Sequence, residues 1–169
     1  PDPEPVTVNI SNDPASVKTN IKTLVTAYND IVKFVNDRTG YDITTKTDGI
    51  FFNESTAKNV LSQLRTAISG EVSELSTYKS LGAVGFKTER DGTLTIDDAK
   101  LDSAMASNYV ATRALFVTQT TSSGIADRIV KAVDFLDSVD SGAFTVRKNS
   151  ITSQISRLTD QIGRKEDIA

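Results

Sequence analysis

The sequence predicts a mainly α fold: an elongated antiparallel helical bundle, with a small β-hairpin and one strand from a neighbouring β domain. Three observations carry this. Val17, Ile21, Leu24, Val25, Tyr28, Ile31, Val32 and Val35 recur at spacings of three and four, a continuous apolar stripe over about five helical turns. Ile151, Ile155, Leu158 and Ile162 step by four, three and four, the a/d rhythm of a coiled-coil seam. Between these stripes, Asp91-Gly92 separates two strand-like runs, and glycine there can take the positive φ that a hairpin turn requires.

Taken in order, Pro1 to Pro5 reads as an extended tail. Val6, Val8 and Ile10 alternate with Thr7 and Asn9, which predicts a strand. One strand cannot stand alone, so residues 1–12 are assigned as the last strand and linker of a preceding β-rich domain. Residues 13–169 form the helical domain, truncated at its C-terminus because the seam has not closed at Ala169. Asp13-Pro14 is a helix start, a cap residue followed by proline at the first helical position. Asp37 to Gly40 ends that helix. Residues 41–52 read as a Thr-rich loop with a short strand at Ile50 to Phe52.

A second helix is expected over Glu54 to Ser69, with Ala57, Val60, Leu61, Leu64, Ala67 and Ile68 inward and Gly70 as its stop. In the hairpin, Leu94 and Ile96 alternate with Thr93 and Thr95, giving one apolar face. Asp97 stands where an N-cap belongs, and a short helix over 98–106 places Leu101 and Met105 on one side. Tyr109, Val110, Leu115 and Phe116 follow, then a polar break from Thr118 to Ser123. A helix over 124–139 aligns Ile125, Ile129, Val133 and Leu136, and Gly142 separates it from the last helix. The two long stripes can pack on each other inside one bundle or receive helices of other subunits; both readings stay open.

The chain of 169 residues is long enough for a real core. Its net charge of −3, with no basic window, argues against a nucleic-acid surface. No apolar run is long enough for a membrane span, and no basic region followed by an apolar stretch marks a signal peptide. Cys and His are absent, which removes disulfides, thiol nucleophiles, the usual zinc ligands and an unperturbed base near neutral pH. No cofactor is expected. Ser and Thr exceed a fifth of the residues, a composition that suits export or assembly outside the cell.

Two chemical motifs fail on their own terms. Ser55-Thr56-Ala57-Lys58 has the S-x-x-K spacing, but the S-D-N and K-T-G companions of penicillin-recognising enzymes are missing. Gly92 at the sixth position of a calcium loop would put Lys87 first, a cation where a carboxylate must be, and Asp98 twelfth. Asp48-Gly49 would begin at Thr44 and end at Ser55. The carboxylates of Asp97, Asp98 and Asp102 read as a cap and a solvated face.

Residues 81–101 resemble the C-terminal region of flagellar filament cap proteins, the hook-associated protein 2 family. The matching positions are Leu81, Gly85, Asp91, Gly92, Leu94, Ile96, Asp97, Lys100 and Leu101, with Val84-Gly85-Phe86 where the family usually has Ile-Gly-Ile. Val25 to Ile31, Ala114-Leu115-Phe116 with Gly124-Ile125-Ala126, and Ile151 to Ile162 with Gln154 and Gln161 resemble further family segments in order. Phe52-Asn53-Glu54 departs from the family's usual Gly-Asp before the helix. The resemblance implies a non-enzymatic structural protein of the bacterial flagellum. It implies a homo-oligomeric, ring-like cap at the filament tip, exported without a cleaved leader, that promotes flagellin assembly. The implied partners are flagellin, other copies of itself and proteins of the hook–filament junction, with no nucleic acid and no membrane. An adhesin module at the exposed tip, reading ligands through Thr-rich loops such as 41–48, is the alternative.

Overall fold

A computed structural model describes residues 12–120, 122–138 and 142–167. The strand expected at Val6 to Ile10 lies outside these residues. Helix α1 spans Pro14–Thr39. Its N-cap Asp13 accepts from the Ser16 amide at 3.0 Å, and proline opens the first turn, so the cap and the pre-set φ act together. Ile21, Val25, Tyr28, Val32 and Val35 are buried along one face, while Val17, Leu24 and Ile31 pack partly buried beside them.

The Thr-rich segment after α1 is more ordered than its composition predicts. β1 (Tyr41–Asp42) and β2 (Thr47–Asp48) pair antiparallel, Tyr41 facing Asp48. The Asp42 carboxylate accepts from the amides of Thr44 and Thr45 at 2.7 and 3.2 Å, an Asx turn that closes the tip. The strand expected at Ile50 to Phe52 is instead a pair of turns. Phe52 N–H donates to Gly49 and Glu54 N–H to Phe51; these local bonds use the groups that a strand would offer to a neighbour.

Helix α2 spans Ser55–Ser69 and buries Ala57, Val60, Leu61, Leu64, Ala67 and Ile68. The chain then crosses to a 3₁₀ turn at Leu81–Val84, the strands β3 (Phe86–Thr88) and β4 (Leu94–Ile96), and helix α3 (Asp98–Ser107). The first strand-like run is therefore strand only from Phe86 onward. β3 and β4 pair antiparallel with Phe86 facing Ile96 and Thr88 facing Leu94. Helices α4 (Tyr109–Phe116) and α5 (Ile125–Asp137) complete the body. Val133, expected inward, is 40% exposed, whereas Ile125, Ile129 and Leu136 are buried.

One core joins these parts. The buried faces of α1 and α2 meet Phe86 and Leu94 of the hairpin, Leu101 and Met105 of α3, Leu115 and Phe116 of α4, and the α5 face. The Phe86 and Phe116 rings approach to 5.7 Å between centroids. Val72, in the irregular stretch after α2, is fully buried, a core position with no periodic signal around it. Helix α6 (Ala143–Glu166) differs from all the others, because none of its residues is buried. Ile151, Ile155, Leu158 and Ile162 stand 41–59% exposed. The option that the two long stripes pack on each other is thus corrected: α1 faces the core and the α6 seam faces outward.

Candidate interaction site

Two regions concentrate the unusual geometry: the joint between the hairpin and the helices, and the outward face around α6. At the joint, Leu81 is buried in the 3₁₀ turn. Gly85 ends that turn at φ +94°, and a Cβ there would stand 2.7 Å from the Lys100 Cβ. Its carbonyl accepts from the Asp97 amide at 2.9 Å, so the strand must run close to the first turn of α3. Asp97 caps α3, accepting from the Lys100 amide at 3.1 Å. The Lys100 ammonium lies 3.7 Å from the same carboxylate. Leu101 is fully buried beneath.

The connection between β3 and β4 runs from Glu89 to Thr93 and is closed by the Glu89 amide donating to the Thr93 carbonyl at 2.8 Å, with Gly92 at φ +91°. Asp91 accepts from the Thr93 amide at 2.9 Å and the Thr93 hydroxyl at 2.7 Å, and these bonds hold its carboxyl below the ordinary value of 3.8. Helix α1 then grips the hairpin by its backbone. Tyr28 donates to the Gly92 carbonyl at 3.0 Å, and burial pushes its phenol up, which keeps the donor protonated. The Asn29 amide donates to the Leu94 carbonyl at 2.9 Å and accepts from the Leu94 amide at 2.7 Å. A side chain thus does what a third strand would do. Asn36 donates to the Asp91 carbonyl at 2.8 Å.

The acidic trio is a cap and an exposed face, with the Asp98 and Asp102 side chains 53% and 59% exposed, and that face is also paired. While Asp97 caps, Asp98 and Asp102 meet α1: Lys18 reaches Asp102 at 2.6 Å and Asp98 at 3.1 Å, and Lys22 reaches Asp98 at 2.8 Å. The Lys22 and Lys18 bonds hold Asp98 below its ordinary value, and Asp102, then Asp98, hold Lys18 above its own. Every carboxylate of the trio is thereby engaged by protein groups. Among the described residues no group of three or more His, Cys, Asp or Glu could hold a metal, and no helix is long and apolar enough to cross a membrane. Ser55 to Lys58 form the first turn of α2.

On the outward face, a groove of about 500 Å³ opens between α1, the 50–51 turn, α2 and α6. Phe34, Phe51, Val60, Phe144 and Ile151 line it. Phe34 is 49% exposed although it lies among apolar groups, and the Arg38 guanidinium stacks 3.8 Å above its ring. The groove leads onto the seam of Ile151, Ile155, Leu158 and Ile162. With Ile155 and Ile162 at a and Ile151 and Leu158 at d, the flanking e and g positions are Thr152, Gln154, Thr159 and Gln161. None is charged, so the seam lacks the flanking charges that set partner choice in coiled coils.

At the rim of the groove Glu54 accepts from Arg147 through Nε at 3.0 Å and Nη2 at 2.7 Å. Glu54 also caps α2, accepting from the Thr56 amide at 3.1 Å. The departure at Phe52-Asn53-Glu54 resolves locally: Asn53 sits at φ +60°, a conformation asparagine tolerates better than most residues, and Glu54 caps. Sequence reasoning missed Asn29, Arg128 and this ion pair. Arg128 of α5 donates to the carbonyls of Gly70, Glu71 and Ser123, each at 3.1 Å, closing the open end of α2. Its contacts lie 57 and 58 residues away in sequence for Glu71 and Gly70, where no periodicity could announce them.

The profile of the family described as flagellar hook-associated protein 2 C-terminus matches residues 1–167. The chain belongs to that family. It is 32% identical over 131 residues to the B-type flagellar hook-associated protein 2 of Pseudomonas aeruginosa, covering 75% of this chain and 27% of the relative. It is 29% identical over 161 residues to the polar flagellar hook-associated protein 2 of Vibrio parahaemolyticus, covering 95% and 23%. The chain therefore spans about a quarter of the length of these relatives. Among solved structures, the D1-D2-D3 domains of the flagellar cap protein FliD from Escherichia coli superpose with a TM-score of 0.71 at 27% identity, over 82% of this chain and 37% of that one. The family resemblance and the mainly α architecture drawn from the sequence agree with these matches.

Proposed function

We propose that this chain is the helical leg of a flagellar filament cap, a structural part whose work is contact rather than chemistry. Residues 13–169 make the leg, and residues 1–12 lead in from a β-rich domain. In the whole protein, copies associate into a ring-like cap at the filament tip, outside the cell, after export without a cleaved leader. The cap promotes assembly of flagellin and also meets proteins of the hook–filament junction.

The observation that carries this reading is the exposed aliphatic seam of α6 running on from an apolar groove. Exposed aliphatics at heptad spacing are costly in water and mark a face that another helix covers. Membership of the hook-associated protein 2 family supplies the setting, and the flagellar cap protein of Escherichia coli is a structural neighbour. The adhesin alternative gains no support from these relatives, and the 41–48 segment closes on itself through Asp42.

The test is negative-stain imaging and mass measurement of the full-length protein, with and without Ile155→Ser and Ile162→Ser. Ring- or plate-like particles in the wild type, lost or diminished in the double variant while helix content is kept, are expected. Particles that are monomeric throughout would remove the cap reading, and rings unaffected by the variant would remove the seam from it.

A further inference from the structure

We propose that the Glu54–Arg147 ion pair is an orienting clasp, which sets the direction in which α6 leaves the helical body. In the first three turns of α6 only Ala143, Thr145 and Arg147 are half-buried, and from Lys148 onward every residue but Gly163 is exposed. Ala143 packs against the core, and the Thr145 hydroxyl donates to the Ser138 carbonyl at 3.1 Å. Both contacts stay at the root of the helix. Arg147 is the farthest residue along α6 with an ion pair to another element, and Ile151 reaches only the mouth of the groove, 41% exposed.

The pair is built to define an angle. Arg147 presents two N–H groups to one oxygen of Glu54, while the other oxygen is fixed by the Thr56 amide at the start of α2. The carboxylate is therefore held to α2 by its own backbone and cannot follow α6 if the helix swings. Both hydrogen bonds from Arg147 are charge-assisted, the stronger kind. The Glu54 side chain is 21% exposed and that of Arg147 41%, so solvent screens the pair only in part. At about 1.5 Å per residue, Ile162 lies roughly 22 Å beyond Arg147, so a swing of about 10° at the clasp displaces it by about 4 Å. That sideways displacement is nearly half of the about 8–10 Å that separates the axes of packed helices, and would change how the seam meets a partner. The consequence for assembly rests on the proposed function; the clasp itself does not.

The experiment is a distance measurement between spin labels at Ser62→Cys on α2 and Ser156→Cys on α6, in the full-length protein diluted with unlabelled copies. A single narrow distance distribution is expected in the parent. Arg147→Ala is expected to broaden it by several ångströms or shift its mean, with helix content and thermal unfolding unchanged. Glu54→Gln keeps an acceptor for the α2 cap and is expected to broaden it less. Arg147→Lys keeps the charge but loses the paired N–H groups, and is expected to give a width between those of the parent and Arg147→Ala. A distribution in Arg147→Ala identical to the parent overturns the clasp, as does one in Arg147→Lys broader than in Arg147→Ala. The distances are read on whatever particle forms, so a failure of ring assembly and a failure of the clasp are distinguishable.

Discussion

Two stripes of nearly equal regularity end in opposite places. On α1, Ile21, Val25, Tyr28, Val32 and Val35 are at most 8% exposed, whereas on α6 Ile151, Ile155, Leu158 and Ile162 are at least 41% exposed. Both stripes are apolar and both recur at threes and fours. The difference lies in what surrounds them. α1 is followed by elements that fold back over its face, including α2, the hairpin and α3. Within the described residues no element covers the face of α6 that carries its seam. Periodicity reports that a helix has an apolar face; only the rest of the fold decides whether that face is already covered.

The contrast can be broken most forcefully in the core. Ile21→Ala should lower stability by about 2–5 kcal/mol, the range for emptying a buried aliphatic site, read by urea unfolding. A loss below about 1 kcal/mol would mean that α1 is not the core helix described here. Next comes the grip of α1 on the hairpin. Asn29→Ala leaves the Leu94 amide and carbonyl without their partner and should cost about 1–3 kcal/mol, with faster hydrogen exchange at Leu94 than at residues of α2. Asp97→Ala, which removes the α3 cap, should cost about 1 kcal/mol, and Asp97→Asn should recover most of it in the same unfolding assay.

The charged clamp between α1 and α3 sharpens the comparison through pH. Asp98 is held below its ordinary value of 3.8 and Lys18 above its ordinary value of 10.5. A depressed carboxyl contributes stability that is present above its unfolded value and lost as pH falls through the folded one. A raised ammonium contributes stability that is present below its unfolded value and lost as pH rises through the folded one. The effect of Lys18→Ala should therefore be largest near neutrality and shrink toward both extremes, which thermal unfolding at several pH values would reveal. An effect of equal size at acid pH would detach Lys18 from Asp98 and Asp102. The smallest effect belongs to the other stripe: Ile155→Ala should change the stability of the 169-residue chain by no more than about 0.5 kcal/mol. A loss comparable with Ile21→Ala would show that α6 is covered within the chain after all.

Local chemistry was largely legible. Asp13-Pro14 and Asp97 cap where they should, because a short acceptor side chain before a helical run has few other uses. Gly92 marked the hairpin because only a turn with positive φ calls for glycine beside Asp91. The resemblance at residues 81–101 gathered residues that converge on one joint, where Gly85 lets the strand pass over α3 and Leu101 fills the space beneath. What escaped were partners distant in sequence. Asn29 pairing with Leu94, Arg128 closing α2 and Arg147 reaching Glu54 use ordinary residue types whose roles exist only once helices meet. The expected strand at Ile50 to Phe52 failed for a related reason. Only Phe51 is half-buried, held in a turn against the core, while Ile50 and Phe52 are 79% and 44% exposed.

By itself, then, the sequence determined that α1, α2, α3, α5 and α6 are helical, about where each of them starts, and most of their apolar edges, since these follow from short-range sterics, backbone hydrogen bonding and side-chain spacing; α4 was legible only as a run of apolar residues. Tertiary structure alone decided which apolar edge became core, which stayed open, and how the hairpin is fastened. Burial is a relation between surfaces that the chain brings together over long separations, and no local spacing encodes the other surface.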